Sequence, residues 1–136
     1  MNNKIIVIAG KGNLPKVLIN EIIKRDFDIH ILSIKGNETK NTLKNYSHTV
    51  TSYGSIITKL LNLKKNGFKK IIFAGSLEKP DLKKIRPDLN MIKFLPRLSK
   101  IILQGGDDRL LSFLIKELEL MKFEILNIKE FLLNFF

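Results

Sequence analysis

Short apolar runs of strand length alternate with longer amphipathic segments along most of the chain. This alternation constrains the fold more than any other feature of the sequence. Strand patterns separated by helix patterns are typical of parallel sheets, whose connecting helices cover both faces. The predicted strands are Lys4–Ala9, Ile29–Ile34, His48–Ser52, Lys70–Ala74 and Phe123–Ile128.

Helix patterns fill most of the intervals between these strands. The stretch "KGNETKNTLKNYSH" predicts a loop with a short helix, and "SLEKPDLKKIRPDLN", with two prolines, predicts an irregular crossing segment. Asp88 is the predicted cap of the helix that follows, and Gly67 is a predicted helix end. The sequence therefore predicts an α/β fold, a doubly wound, mostly parallel sheet in a Rossmann-like three-layer domain. The predicted helices are Leu14–Arg25, Ser55–Lys65, Leu89–Leu103, a helix from Asp107 or Asp108 to about Lys122, and a final apolar helix over Glu130–Phe136.

The length of 136 residues fits one domain with a substantial core. No uninterrupted apolar run is long enough to cross a membrane, and the first residues lack the pattern of a signal peptide. The absence of cysteine excludes disulfides and cysteine-based zinc sites, and it fits a reducing compartment. We therefore expect a cytoplasmic protein, with at most a peripheral contact to the inner membrane.

The formal net charge of +11 raises the question of an anionic partner such as nucleic acid, lipid head groups or a phosphorylated ligand. Lysine outnumbers arginine 20 to 4, and the lysines are distributed along the whole chain. Proteins that bind nucleic acids usually carry arginine, interleaved aromatic residues and a basic stripe. None of these is visible, so we expect no nucleic-acid partner.

The stretch "IVIAGKGNLP" is a strand that runs into a glycine turn and a helix. A dinucleotide fingerprint needs three glycines, but here Pro15 occupies the third position after Gly10 and Gly12. The fingerprint also expects an acid at the end of the second strand, where this chain has Ser33, Ile34 and Lys35. The turn is not a P-loop either, since no Gly-Lys-Ser or Gly-Lys-Thr follows. NAD is therefore not expected.

Two readings of this turn remain open: its amides hold another phosphate or polar group, or it is a tight turn without a ligand. A second glycine turn begins at Gly75, directly after the strand Lys70–Ala74. Ligands of parallel sheets bind beyond the carboxyl ends of the strands. Both turns are therefore predicted to lie at that edge and to face one cleft.

Other side chains with functional chemistry are few. His30 and His48 are predicted to be hydrogen-bonded locally rather than to bind a metal, since no partner is spaced to help. Asp107 and Asp108 form the best acidic pair. They either cap a helix after a glycine break or supply a carboxylate for Mg²⁺, a sugar or a nucleotide.

Four segments, in order and spacing, resemble the amino-terminal half of LpxI-type UDP-2,3-diacylglucosamine pyrophosphatases. They are "IAGKGNLPKVL", "YGSIITKLLNLKKNGFKKIIFAG", "FAGSLEKPDL" followed by "RPDL", and "GGDDRLLSFLIKELELMKFEI". The resemblance covers the chain from Ile5 to about Phe131. It implies hydrolysis of UDP-2,3-diacylglucosamine to UMP and 2,3-diacylglucosamine 1-phosphate, with Mg²⁺, as a step of lipid A synthesis.

The resemblance also implies which residues face the substrate. Lys79 and Arg86 are candidate phosphate partners, with solvated surface as the alternative for each. No metal ligand is assigned. The implied substrate-binding residues are Gly10, Gly12, Asn13, Leu14, Ala74, Gly75, Ser76, Lys79, Asp107 and Asp108.

Members of this family are about twice as long, and their catalytic acid lies in a second, carboxyl-terminal domain. We therefore expect residues 1–136 to form one Rossmann-like amino-terminal domain without that catalytic domain: a fragment, a truncated gene product or half of a split enzyme. Alone it is expected to be inactive, with the missing half as a partner, and a homodimer is left open. The alternatives are a non-catalytic module that binds a nucleotide sugar or phosphate and, after it, a nucleic-acid-binding domain.

Overall fold

In the computed structural model, five parallel strands form one sheet in the order β3-β2-β1-β4-β5. The structure describes residues 3–10, 16–34, 46–75, 77, 79–105 and 107–127. The α/β prediction is confirmed, and every strand pair is parallel. The strands are β1 (Lys4–Ala9), β2 (Asp28–Ile34), β3 (His48–Thr51), β4 (Lys70–Ala74) and β5 (Glu124–Leu126).

The helices lie on both faces of this sheet. Two short 3₁₀ turns, Tyr53–Ser55 and Leu82–Lys84, add to the connections after β3 and β4. The α-helices are α1 (Lys16–Lys24), α2 (Ile56–Lys65), α3 (Leu89–Ile92), α4 (Leu95–Gln104) and α5 (Asp107–Leu120).

Alternation along the strands divides the core between two faces. Residues of β1 two apart, such as Ile5 and Val7, pack with α1, whereas Ile6 and Ile8 pack with α2 and the later helices. A strand that is buried on both faces needs a continuous apolar run, and this is what β1 has. The α1 face of the core contains Ile5, Val7, Ala9, Leu18, Ile19, Ile22, Ile29, Ile31, Ile72 and Ala74.

One predicted helix is wrong. The segment predicted as a single helix over Leu89–Leu103 forms α3 and α4, with a break at Lys93 and Phe94. Pro96 is the reason, because its ring would clash with the carbonyl of Ile92, four residues earlier, in a continuous helix. The predicted cap at Asp88 is confirmed, since its carboxylate accepts a hydrogen bond from the Met91 amide at 3.0 Å.

Several predicted ends differ by one or two residues. Helix α5 ends at Leu120 rather than near Lys122, because Lys122 has a φ of 71° and leaves the helical conformation. Strand β5 is shorter than predicted, and β3 ends at Thr51. The predicted loop at 35–45 and the predicted final helix at 130–136 lie outside the described residues.

Candidate functional site

The two glycine turns begin next to each other at the carboxyl edge of the sheet. Ala9, the last residue of β1, pairs with Ala74, the last residue of β4. The Gly10 amide donates a hydrogen bond to the Ala74 carbonyl at 2.7 Å. The prediction that the turns share one edge is therefore confirmed for Gly10 and Gly75.

This edge is also the point where the sheet changes direction. From β1 the chain builds outward through β2 to β3, then crosses back so that β4 lies on the other side of β1. In doubly wound sheets the crevice between the two central strands at such a switch point is the usual ligand site. Gly10 and Gly75 follow those two strands directly.

The residues at the two turns have different roles. Gly75 is exposed with a φ of 84°, a conformation that residues with a Cβ adopt at a cost. Gly10 is buried and its amide is already engaged, so it extends the ladder rather than offering a donor to a ligand. The Ala74 side chain packs in the core against α1. Of these three, only Gly75 is accessible to a ligand.

Ser33 was not predicted as a site residue, but it lies next to the glycine turn. It pairs with Ala9 and, like Ile29 and Ile31, is on the α1 face of the sheet. Its side chain is 0% exposed, and its hydroxyl has no hydrogen-bond partner in the part of the chain that the structure describes. A buried hydroxyl without a hydrogen bond costs about 1–3 kcal/mol, so the position of Ser33 calls for an explanation. The sequence signal was a single serine inside the apolar run "IHILSI".

Three helices start near this edge. Helices α1 and α2 follow the carboxyl ends of β1 and β3, and α5 must run back across the sheet because it leads through a short turn into the parallel strand β5. Their amino termini carry partial positive charge, which favours an anionic ligand. Asp107 and Asp108 open α5, but their side chains are not among those described.

The remaining predicted site residues divide into two groups. Lys79 and Arg86 have exposed side chains, and neither forms an ion pair with another described residue, as expected for solvated surface. Gly12, Asn13, Leu14 and Ser76 lie outside the described residues.

Within the described ranges, no group of three or more His, Asp or Glu side chains is placed to hold a metal ion. Mg²⁺ is often held by one or two carboxylates together with waters and substrate phosphates. Mg²⁺ remains an expectation from the resemblance.

Both histidines are bonded locally, as predicted. The ring nitrogens of His30 lie 2.8 Å from the Ser47 hydroxyl and 2.8 Å from the Thr49 hydroxyl. Nδ1 of His48 lies 2.9 Å from the Tyr46 carbonyl. Burial lowers the pKa of His30, and neighbouring His48 lowers it further, whereas Asp28 acts in the opposite direction.

This shift predicts a pH dependence of stability. Because the unfolded chain binds a proton at His30 more readily than the folded chain, the free energy of unfolding should fall as pH drops below 6.5, the ordinary value of that pKa. We expect His30→Gln, which keeps polar atoms but does not titrate, to lose less stability between neutral pH and about pH 5.5. Urea unfolding of both proteins at the two pH values measures the difference. An equal loss in both would contradict the assignment to His30.

No helix in the described part of the chain has the length and apolar character needed to cross a membrane.

Comparison with known proteins points to one family. The family model for the LpxI N-terminal domain matches residues 4–135. A protein from Caulobacter vibrioides named UDP-2,3-diacylglucosamine pyrophosphatase LpxI is 30% identical over 124 residues. Those residues are 90% of this chain and 43% of that protein, so the chain spans less than half the length of this relative.

Proposed function

The chain belongs to the LpxI family, and from this premise we propose that it is the substrate-binding, amino-terminal part of a UDP-2,3-diacylglucosamine pyrophosphatase. The reaction proposed for the whole enzyme is hydrolysis of the substrate's pyrophosphate to UMP and 2,3-diacylglucosamine 1-phosphate. In this proposal the chain acts in the synthesis of lipid A.

One observation carries the proposal that this part binds the substrate. The turns at Gly10 and Gly75 lie side by side at the switch point of a parallel sheet, where an anionic ligand also meets helix amino termini. We assign the diphosphate and uridine part of the substrate to this crevice. The exposed backbone of Gly75 lets a ligand approach closely, since no Cβ stands in the way.

The buried hydroxyl of Ser33 supports the same location. Ser33 lies beside Ala9, and its hydroxyl has no described partner. The hydroxyl gains a hydrogen bond if a polar group of the ligand, or a water held by that group, reaches the α1 face of the sheet next to the turn. Dinucleotide-binding proteins place a ribose-binding acid at the end of this strand. Here a neutral hydroxyl stands near that position.

The binding proposal predicts which backbone amides respond to UDP. In a nitrogen-15 NMR titration, the amides of Gly10 and Gly75 should shift because they lie at the carboxyl edge. Gly67 precedes β4 at the opposite edge, so its amide is the internal control and should not move. Shifts at Gly67 equal to those at Gly75, or no shifts at either turn, would contradict the proposed location.

Ser33→Ala is the matched variant for this titration. It removes a hydroxyl that has no described partner, so the unliganded protein should be at least as stable as the wild type. If Ser33 contacts the ligand, UDP should bind about two- to tenfold more weakly. If Ser33→Ala binds UDP with the affinity of the wild type, Ser33 is not part of the site. The NMR shifts of Gly10 and Gly75 would then be the test of the proposed location.

A further inference from the structure

Helix α3 presents two apolar side chains to solvent. Leu89 is 83% exposed and Ile92 is 50% exposed. They lie three residues apart on a helix and therefore share one side of it, next to exposed Lys93. We call Leu89, Ile92 and Lys93 the α3 surface.

The opposite side of α3 is fixed to the rest of the protein. Met91 is buried in the core, and the Asn90 side chain donates a hydrogen bond to the Thr58 hydroxyl at 2.9 Å. The Thr58 hydroxyl in turn donates to the Asp88 carboxylate, which also caps α3. The orientation of Leu89 and Ile92 is thus held by contacts with α2 and the core.

The chain segment that contains the α3 surface is strongly basic. Between residues 79 and 100 there are seven Lys or Arg and two Asp, so a short segment carries nearly half of the net charge of +11. Both aspartates accept capping hydrogen bonds, Asp81 from the Lys83 amide and Asp88 from the Met91 amide. Arg97 pairs with Glu117 at 3.1 Å. The other basic residues are exposed and form no ion pair with any described residue: Lys79, Lys83, Lys84, Arg86, Lys93 and Lys100.

The backbone before α3 directs some of these charges outward. Ile85 packs against the core in an extended conformation. Lys84, the last residue of the Leu82–Lys84 turn, and Arg86, which follows Ile85, are both exposed. Exposed cations therefore precede Leu89 in the chain at Lys84 and Arg86, and Lys93 follows Ile92 directly.

We propose that the α3 surface binds the face of a membrane that contains anionic lipids. Leu89 and Ile92 enter the boundary between head groups and acyl chains, and the flanking lysines contact lipid phosphates. Apolar side chains rimmed by lysine are the combination that holds peripheral segments at such an interface. The inference does not depend on the proposed function, because it rests on the side chains of Leu89, Ile92 and Lys93 and not on the glycine turns.

The composition of the surface favours lipid over other partners. Lysine is depleted in the cores of protein–protein interfaces, so a protein partner is a poorer match for this set of side chains. Single-stranded nucleic acid binds through exposed aromatic rings. Phe94, the aromatic residue nearest to α3 in the sequence, packs against the core instead.

Tryptophan fluorescence tests the insertion directly, since the chain has no tryptophan of its own. Leu89→Trp and the control Leu120→Trp, at the end of α5, are compared with vesicles of phosphatidylcholine alone and of equal parts phosphatidylcholine and phosphatidylglycerol. We expect a blue shift and quenching by brominated lipid for Leu89→Trp with the anionic vesicles only. No shift, or the same shift for Leu120→Trp, would overturn the proposal.

Vesicle sedimentation, which needs no tryptophan substitution, gives a second, independent measurement. The double variant Leu89→Asp and Ile92→Asp should bind anionic vesicles roughly tenfold less, whereas the control Leu103→Asp on α4 should bind like the wild type. High salt should release the wild type. Thermal unfolding of each variant checks that its fold is retained. Equal binding by all variants would overturn the proposal. In the fluorescence experiment, a blue shift of Leu89→Trp that appears without vesicles and grows with protein concentration would also overturn it. That result would assign the surface to a second copy of the chain.

Discussion

Release of UMP from UDP-2,3-diacylglucosamine is expected from this chain fused to the carboxyl-terminal part of the Caulobacter vibrioides relative, and not from the 136-residue chain alone. Metal-assisted hydrolysis needs carboxylates that hold the metal, a positioned water and donors that stabilise developing charge. Within the described residues, no three acidic or histidine side chains converge on one point. The glycine turns offer a place to bind, and Asp107 and Asp108 open α5, the helix that is inferred to start near that edge.

The measurement is UMP release with Mg²⁺ from the chain, from the relative's carboxyl-terminal part, and from the fusion. We expect the fusion to exceed either part by at least about 10²-fold, the scale lost when a stabilising group is missing from a transition state. Titration with UDP shows in parallel whether the isolated chain still binds. Turnover by the chain alone at the rate of the fusion would contradict the prediction and return the chemistry to Asp107, Asp108 and Lys79.

Replacing Gly54 by alanine is expected to destabilise the fold by about 1–3 kcal/mol, towards the upper end of that range. Gly54 lies in the 3₁₀ turn before α2, and a Cβ built there would be 2.0 Å from the Arg86 carbonyl oxygen. The same atom would lie 2.7 Å from the Arg86 carbonyl carbon and 3.3 Å from the Pro87 nitrogen. These are backbone atoms, so relief requires the whole crossing segment to move.

That movement would disturb further contacts in the same place. The Asp88 amide donates to the Gly54 carbonyl at 3.1 Å, and Asp88 then caps α3. The loss is therefore expected to extend beyond one steric contact. Urea unfolding monitored by circular dichroism measures the free energy of unfolding for wild type and variant.

Gly105→Ala is the matched control. A Cβ at Gly105 would lie 2.1 Å from Cδ of Arg109, but this side chain is exposed and can rotate away. The φ of Gly105 is −147°, an extended conformation open to alanine. We expect a change well below that of Gly54→Ala, and equal losses in the two variants would show that the backbone contact at Gly54 does not matter.

Local patterns in the sequence predicted most of the elements and the sheet edge that carries the candidate site. Strands such as Lys4–Ala9 and Lys70–Ala74 were predicted at their observed bounds. A short apolar run between a polar residue and a glycine is typical of a buried strand in an α/β protein. Parallel strands connected by helices must end at the same edge. This rule alone predicts that Gly10 and Gly75 lie at one edge of the sheet.

The break between α3 and α4 shows where local patterns compete. The amphipathic period runs from Leu89 to Leu103, but Pro96 cannot take an interior position of a continuous helix. Both signals are present in the sequence, and the predicted single helix follows the period alone. The structure shows that the steric restriction of Pro96 prevailed.

The class of fold, the parallel sheet and the edge at which the glycine turns begin follow from local patterns, because these depend on periodicity and chain direction. Three other features follow from the packing of distant segments: the Ser33 hydroxyl is buried without a described partner, Gly54 touches the backbone of Arg86, and Leu89 faces solvent. Each of these depends on which distant segment packs against a residue. A periodic pattern marks one side of a helix or strand as apolar, but it does not say which neighbour covers that side or leaves it open.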